Sequence, residues 1–367
     1  MKNIIVFIAL LITGLPVYAQ SYFSISGKII DADTKLPMQG ASVFAQNTTM
    51  GTATHADGSF SLQLPAGGYD IVVTFTGYQT ETKRVSGADA GNNNWEIALH
   101  QKQNEMQDVV VKATYEVADG WEKYGDFFLE NFIGKTDNSK QTTITNKEVL
   151  KFYYYKRKNK LKVLASAPLV IENKALGYSI SYTLDSFIHE YNTQVSQYTG
   201  YPLFSEMVPT NPEQQTNWNN ARLVAYHGSI LHFMRSLYHR QLKESGFEIQ
   251  FLVNDGDKQN AIPVKDFYGA LNFTKDDSTT LVSILPNQRE VAVIYKEEMP
   301  APLYLETNLD SNPKFELSVL LFAPMQTINI EQNGFYFNQD DFTISSYWGW
   351  EKMADMLPYD YQLPPGK

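Results

Sequence analysis

The sequence predicts a mostly β protein with two helices, in which an N-terminal seven-stranded β-sandwich precedes a β-rich α+β C-terminal domain. Three observations lead to this fold class. Short alternations of apolar and polar residues, separated by turn residues, fill positions 22–99. Strand-like runs of the same kind resume after residue 149. Apolar residues recur at helical spacing in two segments, which begin at residues 121 and 212.

The composition excludes several classes of function. The 367 residues include 30 Lys+Arg and 40 Asp+Glu, which gives 30 − 40 = −10, and there is no cysteine. Nucleic-acid binders need Lys and Arg to displace counterions from phosphates, so an acidic balance argues against a nucleic-acid partner. The absence of cysteine excludes disulfides, Cys-ligated zinc and thiol nucleophiles.

Residues 1–19 are predicted to be a signal peptide. Lys2 supplies a positive start, residues 4–15 are almost unbroken apolar sequence, and Ala19 precedes Gln20 at the expected cleavage point. An apolar run of about a dozen residues is too short to span ~30 Å of hydrocarbon. Because no later run approaches ~18 apolar residues, we predict no transmembrane span after signal removal. A retained signal anchor is the alternative.

Residues 22–99 are predicted to form the sandwich. About seven short strands fit into this length, with turn residues every 8–12 positions, which is typical of a β-sandwich. Asp57-Gly58 suits the positive φ of a tight hairpin, and residues 65–68 form a second turn.

The turn and core residues of this region also occur in a distinctive order: Gly27-x-Ile29-x-Asp31, Pro37-x-x-Gly40-Ala41-x-Val43, Gly51-Thr52-x-Thr54, Asp57-Gly58-x-Phe60, Pro65-x-Gly67 and Gly77-Tyr78. This order resembles that of the carboxypeptidase-regulatory-like (transthyretin-like) domain. The resemblance implies an immunoglobulin- or transthyretin-like sandwich with an accessory role. The same domain precedes the plug of starch-utilisation-type outer-membrane receptors and occurs on many envelope proteins. The implied location is the periplasm or cell surface of a Gram-negative-type envelope.

The sequence shows no motif of a catalytic domain that would accompany this accessory domain. None of the histidines has Glu three residues later, so the His-x-x-Glu pair of a zinc carboxypeptidase is missing; they are His55, His100, His189, His227, His232 and His239. His-Glu-x-x-His and the Gly-x-Ser-x-Gly turn of serine hydrolases are absent too. We therefore predict no metal and no cofactor.

Residues 100–120 are predicted to be a linker with a connecting strand, and residues 121–367 a β-rich α+β domain. Positions 106–113 resemble the strand that follows the regulatory-like domain in the receptors. A helix is expected to end at Gly134, with one aromatic face formed by Trp121, Tyr124, Phe128 and Phe132. We predict that this face packs in the core, with a ligand shelf as the alternative.

Two polar runs are predicted to be hairpin turns. The basic run 156–160 follows three tyrosines, and residues 254–257 have the residue types of a calcium loop. Both runs lie between strand patterns, and the second lacks the remaining calcium ligands. A nucleic-acid patch and a calcium site are the respective alternatives.

The second helix is predicted as one element that begins at Pro212 and stops at Gly246. At ~100° per residue its apolar face has His227 near the edge, whereas His232 and His239 lie on the polar face. His232 is a weak catalytic candidate as an acid–base or metal group. The alternative is a partly solvated side chain that bonds to carbonyls. Gly228-Ser229 inside a helix costs about 1 kcal/mol, which indicates close packing there.

Two motifs resemble segments of uncharacterised exported proteins that carry the same N-terminal domain. The first spans residues 225–237 and includes His227, His232, Arg235 and Ser236. The second spans residues 347–358, where Trp348 and Trp350 with Glu351 form a candidate sugar platform. Asp340 and Asp341 add carboxylates nearby. In the competing interpretation, the Trp pair buries the end of the chain against the sheet.

Two functions follow from these features. The first is an exported, non-catalytic envelope protein that acts as a binding or accessory module for a glycan or an envelope or outer-membrane protein. The second is a hydrolase of unrecognised type acting on an envelope glycan or peptide, with Asp340, Asp341, Glu351 or His232 in acid–base roles. Because no complete catalytic motif is present, we favour the first.

Overall fold

The computed structural model describes residues 22–86, 94–102, 115–256, 258–337 and 342–364. Within these ranges the chain is mostly β, as predicted, with strands β1–β22 and six α-helices, of which three are short. The predicted signal peptide with Ala19 and Gln20, the predicted connecting strand at residues 106–113, and the candidates Asp340 and Asp341 lie outside the described residues.

The N-terminal strands form the predicted seven-stranded sandwich. One sheet has the order β4-β1-β7 and the other β3-β2-β5-β6. The alternating residues of each strand bury one face in a common core. Gly58 has a φ of +74°, which confirms the predicted tight turn after Asp57. The strands are β1 (Tyr22–Asp31), β2 (Ser42–Ala45), β3 (Gly51–Ala53), β4 (Ser59–Pro65), β5 (Tyr69–Thr74), β6 (Glu81–Val85) and β7 (Trp95–Leu99).

A second core forms around helix α1 and an antiparallel sheet of six strands. The sheet has the order β8-β11-β12-β10-β9, and β13 also pairs with β12. Phe128 and Phe132 of α1 are fully buried with ring centroids 5.1 Å apart, which confirms that the aromatic face packs in the core. The elements are α1 (Gly120–Phe132), β8 (Thr142–Ile144), β9 (Leu150–Tyr155), β10 (Lys160–Ala165), β11 (Leu169–Asn173), β12 (Tyr178–Glu190) and β13 (Val195–Glu206).

The third core lies between two further sheets, with the orders β15-β14-β18-β19-β22 and β16-β17-β20-β21. Helix α3 packs against it through Phe233 and Leu237. The elements are α2 (Pro212–Tyr226), α3 (Ile230–Tyr238), β14 (Phe247–Asp255), β15 (Lys258–Pro263), α4 (Phe267–Ala270), β16 (Thr274–Lys275), β17 (Val282–Ile284), β18 (Glu290–Tyr295), α5 (Pro302–Thr307), β19 (Glu316–Phe322), β20 (Ile328–Ile330), β21 (Tyr336–Phe337), β22 (Phe342–Ser346) and α6 (Tyr347–Trp350).

Both polar runs that the sequence places in turns connect antiparallel strands. The basic run lies between β9 and β10, whose register pairs Lys160 with Tyr155. Asn159 adopts a left-handed conformation there, with a φ of 47°. The second run connects β14 to β15, where Asp255 pairs with Lys258. Both hairpin predictions are confirmed.

The prediction of a single second helix is wrong. The segment forms α2 and α3, separated by a break at residues 227–229. His227 is extended, Gly228 has a φ of +71°, and the Ser229 side chain caps α3 by accepting from the backbone N–H of His232. Glycine adopts such a φ without the penalty that a Cβ brings. The apolar spacing continues across the break, so periodicity alone does not reveal it.

The sandwich is docked on the C-terminal part of the chain. The loop between β2 and β3 runs beside β13, where the N–H of Asn47 donates to the carbonyl of Pro202 at 2.8 Å and the N–H of Phe204 donates to the carbonyl of Thr48 at 2.9 Å. The carbonyl of Asn47 accepts from the N–H of Tyr359 at 2.8 Å. These backbone bonds fix the sandwich against both the second core and the end of the chain.

Candidate functional site

The two motifs meet at the helix break. The indole Nε1 of Trp348 donates to the carbonyl of Gly228 at 2.7 Å, and the backbone N–H of Trp348 donates to Ser318 Oγ at 3.0 Å. Trp348 is only 8% exposed, and its ring centroid lies 5.4 Å from that of Phe233. The prediction that Trp348 contributes to a surface platform is therefore wrong, because its ring is part of the core.

Trp350 and Glu351 lie at the outer end of the same motif. The Trp350 ring is half-buried and has its centroid 5.6 Å from each of the rings of Tyr304 and Tyr347. Burial raises the pKa of Glu351 well above its usual value, and the nearby charges of Asp355 and Glu316 add to the effect. Trp350 is thus the member of the Trp pair that remains partly accessible.

His232 is not on a polar face, contrary to the prediction. It is 8% exposed, and its ring centroid lies 4.8 Å from Tyr226 and 4.9 Å from Phe247. Burial lowers its pKa to about 3, so the imidazole is neutral at ordinary pH. His239, its predicted companion, is exposed at the end of α3. Because the helix is interrupted at residues 227–229, the face expected for His232 from one continuous helix does not apply to α3.

The remaining residues of the first motif hold neighbouring segments in place. Arg235 donates through Nη2 to the carbonyls of Tyr359 and Tyr361, at 3.0 and 2.9 Å, and thereby fixes the C-terminal tail. Ser236 Oγ donates to Ser245 Oγ at 2.9 Å. His227 Nδ1 lies 3.4 Å from the hydroxyl of Tyr295.

Two carboxyl groups with raised pKa values also lie near the break. Glu316 is 6% exposed, and its pKa is raised to about 8, mainly by burial and further by the charge of Glu298. Burial raises the pKa of Glu298 to about 7. Glu316 Oε2 lies 2.6 Å from the point where a Cβ on Gly228 would be. The close packing expected at Gly228 is therefore present, although in a helix break.

A cleft of about 460 Å³ opens where the sandwich meets the C-terminal part, and we call it the junction cleft. The β2–β3 loop contributes one wall, α2 and the end of β13 a second, and the C-terminal tail the third. Its lining residues are Thr49, Tyr178, Glu206, Asn219, Arg222, Pro358, Asp360, Tyr361, Gln362, Leu363 and Pro364. The cleft leaves no signal in the sequence, because its walls come from three distant segments.

The polar groups of the junction cleft are held by a network of hydrogen bonds. Arg222 stacks on the ring of Tyr178 with its guanidinium carbon 4.0 Å from the centroid, and its Nη1 lies 3.3 Å from Glu206 Oε1. The Asp360 carboxylate accepts from the backbone N–H of Thr49 at 3.0 Å and from the Thr49 hydroxyl. Tyr361 is 8% exposed, and its hydroxyl has no hydrogen-bond partner among the described residues.

A smaller cavity of about 200 Å³ lies elsewhere along the boundary between the sandwich and the second core, where Tyr78 and Lys102 face residues 165–168. In the part of the chain that the structure describes, no group of three or more His, Cys, Asp or Glu side chains is arranged to hold a metal ion. The helices of that part include none with the length and apolarity needed to cross a bilayer.

Comparisons with known proteins identify the N-terminal part. Residues 25–111 match the family model of the CarboxypepD_reg-like domain. Over 107 residues the chain is 24% identical to the TonB-dependent receptor P3 of Formosa agariphila; the match covers 29% of this chain and 10% of the receptor. The chain therefore spans about a tenth of the length of this curated relative.

Solved structures resemble the chain only weakly. A DUF3823 family protein from Bacteroides ovatus is 11% identical, with 52% of this chain and 83% of that chain covered and a TM-score of 0.18. The 3-chlorocatechol 1,2-dioxygenase of Rhodococcus opacus is 10% identical, with 23% and 61% covered and a TM-score of 0.19. These scores are too low to carry a functional argument. The family match therefore makes the N-terminal sandwich of this chain similar to carboxypeptidase-regulatory-like domains.

Proposed function

We propose that the protein is an exported, non-catalytic accessory protein of the cell envelope that binds a glycan in the junction cleft. The observation that carries this proposal is the cleft itself. Its volume of about 460 Å³ lies within the range of pockets that hold small ligands, about 300–1,000 Å³, and such pockets occur preferentially where domains meet. Carboxylate and amide groups on its walls are suited to sugar hydroxyls.

The docked sandwich supports an accessory role for the regulatory-like domain. Thr49 of the sandwich bonds to Asp360 of the tail and so forms part of the cleft wall. Arg84 of the sandwich also pairs with the buried Glu331 of the C-terminal part. The sandwich in this arrangement completes the binding site instead of acting as a loose spacer.

The envelope location is proposed from three separate observations. The N-terminal sequence has the features of an export signal. The regulatory-like domain resembles those of many envelope proteins, and the curated relative is named a TonB-dependent receptor. An outer-membrane protein is accordingly the alternative partner, and the exposed surface of the sandwich is available for such a contact.

The experiment is a binding screen of residues 20–367 against polysaccharides and peptidoglycan fragments. The proposal expects saturable binding to at least one glycan, with the glycan recovered intact. If a correctly folded sample binds no glycan, the proposed function is wrong, and crosslinking in the envelope would then identify a protein partner.

The hydrolase alternative relies on the two carboxyl groups near the helix break. The raised pKa values of Glu316 and Glu298 are of the kind found in general acids. However, Glu316 is 6% exposed and packs beneath Gly228, where a substrate does not reach it in this structure. Turnover of a glycan or peptide that is lost in Glu316→Gln, with the fold retained, would establish this alternative and overturn the non-catalytic assignment.

A further inference from the structure

The charges of the junction cleft indicate which class of glycan it accepts. Glu206 and Asp360 carry negative formal charges and Arg222 a positive one, so the lining has a net charge of +1 − 2 = −1. Like charges brought together in a partly desolvated cleft repel each other. An anionic sugar therefore meets an unfavourable field there, whereas an uncharged sugar does not.

Arg222, the one cation among the described residues of the lining, is already engaged by the protein. Arg222 donates through Nε to the carbonyl of Leu176 at 2.7 Å and through Nη2 to the carbonyl of Gly177 at 3.1 Å. Its Nη1 faces Glu206. Carboxylate and sulfate groups are bound best by a free guanidinium fork, which offers two parallel N–H donors. Since the fork of Arg222 is occupied, the lining residues that the structure describes include no free guanidinium for an anionic group.

The groups that remain for a ligand are mainly acceptors. The Glu206 side chain is 58% exposed, and the Asp360 carboxylate has lone pairs beyond those used by Thr49. Sugar hydroxyls donate hydrogen bonds, and carboxylates accept the strongest ones. An array of acceptors is therefore complementary to a ligand rich in hydroxyl groups.

We propose that the junction cleft binds an uncharged saccharide and discriminates against glycans that carry uronic acids or sulfate groups. This inference rests on the proposed glycan-binding function and adds the ligand class and the residues that select it. Asn219 and Gln362 border the same cleft and provide amide groups for further hydroxyls. The negative charges of Glu206 and Asp360 provide the discrimination.

The test measures the affinity of residues 20–367 for two sets of oligosaccharides by isothermal titration calorimetry. The neutral set contains hexamers of glucose, mannose and xylose with defined linkages. The anionic set contains galacturonic-acid oligomers, alginate oligomers and sulfated galactan oligomers. Asn219→Trp fills the cleft from α2, and Asn217→Trp is its matched control, because residue 217 is exposed on the same helix and does not line the cleft.

The inference expects saturable binding of a neutral oligomer that weakens at least tenfold in Asn219→Trp and is unchanged in Asn217→Trp. Glu206→Gln brings the net charge of the lining to zero and frees one side of Arg222. It should raise the affinity for anionic oligomers by about tenfold, a change worth about 1.4 kcal/mol. Glu213→Gln is the control, because it removes a charge from an exposed position of α2 outside the cleft. It should leave the affinity for anionic oligomers unchanged.

Other outcomes distinguish a failure of this inference from a failure of the proposed glycan binding. Preferential binding of an anionic oligomer that is lost in Asn219→Trp keeps the glycan-binding function but overturns the ligand class. Neutral binding that persists in Asn219→Trp keeps a glycan-binding role for the protein but overturns the junction cleft as the site, and with it this inference. If wild-type protein binds neither set, both this inference and the proposed function are wrong.

Discussion

The indole N–H of Trp348 donates to the carbonyl oxygen of Gly228 at 2.7 Å and joins two motifs that are 120 residues apart. The carbonyl belongs to the break between α2 and α3, and the indole belongs to α6 at the end of β22. One buried hydrogen bond therefore connects the turn that orients His232 to the C-terminal segment that leads into the junction cleft.

Replacing Trp348 by Phe should destabilise the protein by about 2–3 kcal/mol, because the carbonyl of Gly228 loses its buried donor and the smaller ring leaves a void. Urea unfolding followed by circular dichroism measures the change. Trp350→Phe is the matched control, since the half-buried Trp350 has no comparable role, and we expect a loss of less than about 1 kcal/mol. Equal losses in the two variants would contradict the assignment of Trp348 to the core.

Gly228→Ala should destabilise the protein by more than the cost of placing an alanine at a positive φ. A Cβ at this position would lie 2.6 Å from Glu316 Oε2 and 2.8 Å from Tyr295 Cδ1, at a φ of +71°. Gly40→Ala isolates the cost of the backbone, because Gly40 has a φ of +77° and nothing within 4 Å of a Cβ. We expect about 1–2 kcal/mol for Gly40→Ala and at least about 2 kcal/mol more for Gly228→Ala. Thermal and urea unfolding of both variants test the difference.

The buried Glu316 should make the protein less stable as the pH rises. Its pKa is raised from 4.5 to about 8 in the folded state. Between these two values the folded protein retains a proton that the unfolded chain releases, so the free energy of unfolding falls with increasing pH. Glu316→Gln should flatten this part of the pH profile and should be more stable than wild type at pH 8. An unchanged slope between pH 5 and 8 in Glu316→Gln would show that Glu316 is not the source.

The buried His232 should make the protein less stable as the pH falls. Burial lowers its pKa to about 3, whereas the unfolded imidazole takes up a proton near 6.5. Stability should therefore fall as the pH decreases from about 6.5 towards 3. In NMR spectra, the ring resonance that disappears in His232→Gln should not titrate between pH 8 and 4. Titration of that resonance near pH 6.5 would mean that His232 is exposed to solvent.

The pair formed by Arg84 and Glu331 should stabilise the docking of the sandwich. Glu331 is 5% exposed, and Arg84 also stacks over the rings of Phe335 and Phe337. Arg84→Ala leaves a buried carboxylate without its partner, which should cost about 2–4 kcal/mol. Lys123→Ala removes the exposed ion pair with Asp119, which solvent screens, and should therefore cost much less than Arg84→Ala. Differential scanning calorimetry of the two variants measures both losses of stability. Similar losses would argue against a stabilising role of the pair formed by Arg84 and Glu331.

The sequence predicts those parts of the structure that depend on local residues. The sandwich follows from strand alternation and from turn residues such as Asp57-Gly58, whose conformations are set by their own backbone. The aromatic face of α1 follows from helical spacing. In each case, the residues that produce the signal are only a few positions apart in the sequence.

The helix break and the cleft require information that is not local. Apolar residues keep their spacing across Gly228, so the pattern hides the interruption at residues 227–229. The junction cleft depends on Thr49 and Asp360, which are 311 residues apart and meet only after the sandwich docks. The sequence leaves Trp348 open between a sugar platform and the core, because aromatic residues near a chain end fit both, and the structure places its ring in the core.

The most direct test of the central claim is a crystal structure of residues 20–367 with the oligosaccharide that binds most tightly in the screen. The account predicts that the sugar occupies the junction cleft, with hydroxyl groups within hydrogen-bond distance of Asp360, Glu206 and Asn219. A sugar bound instead beside Trp350 and Tyr304, or on the outer face of the sandwich, would contradict it.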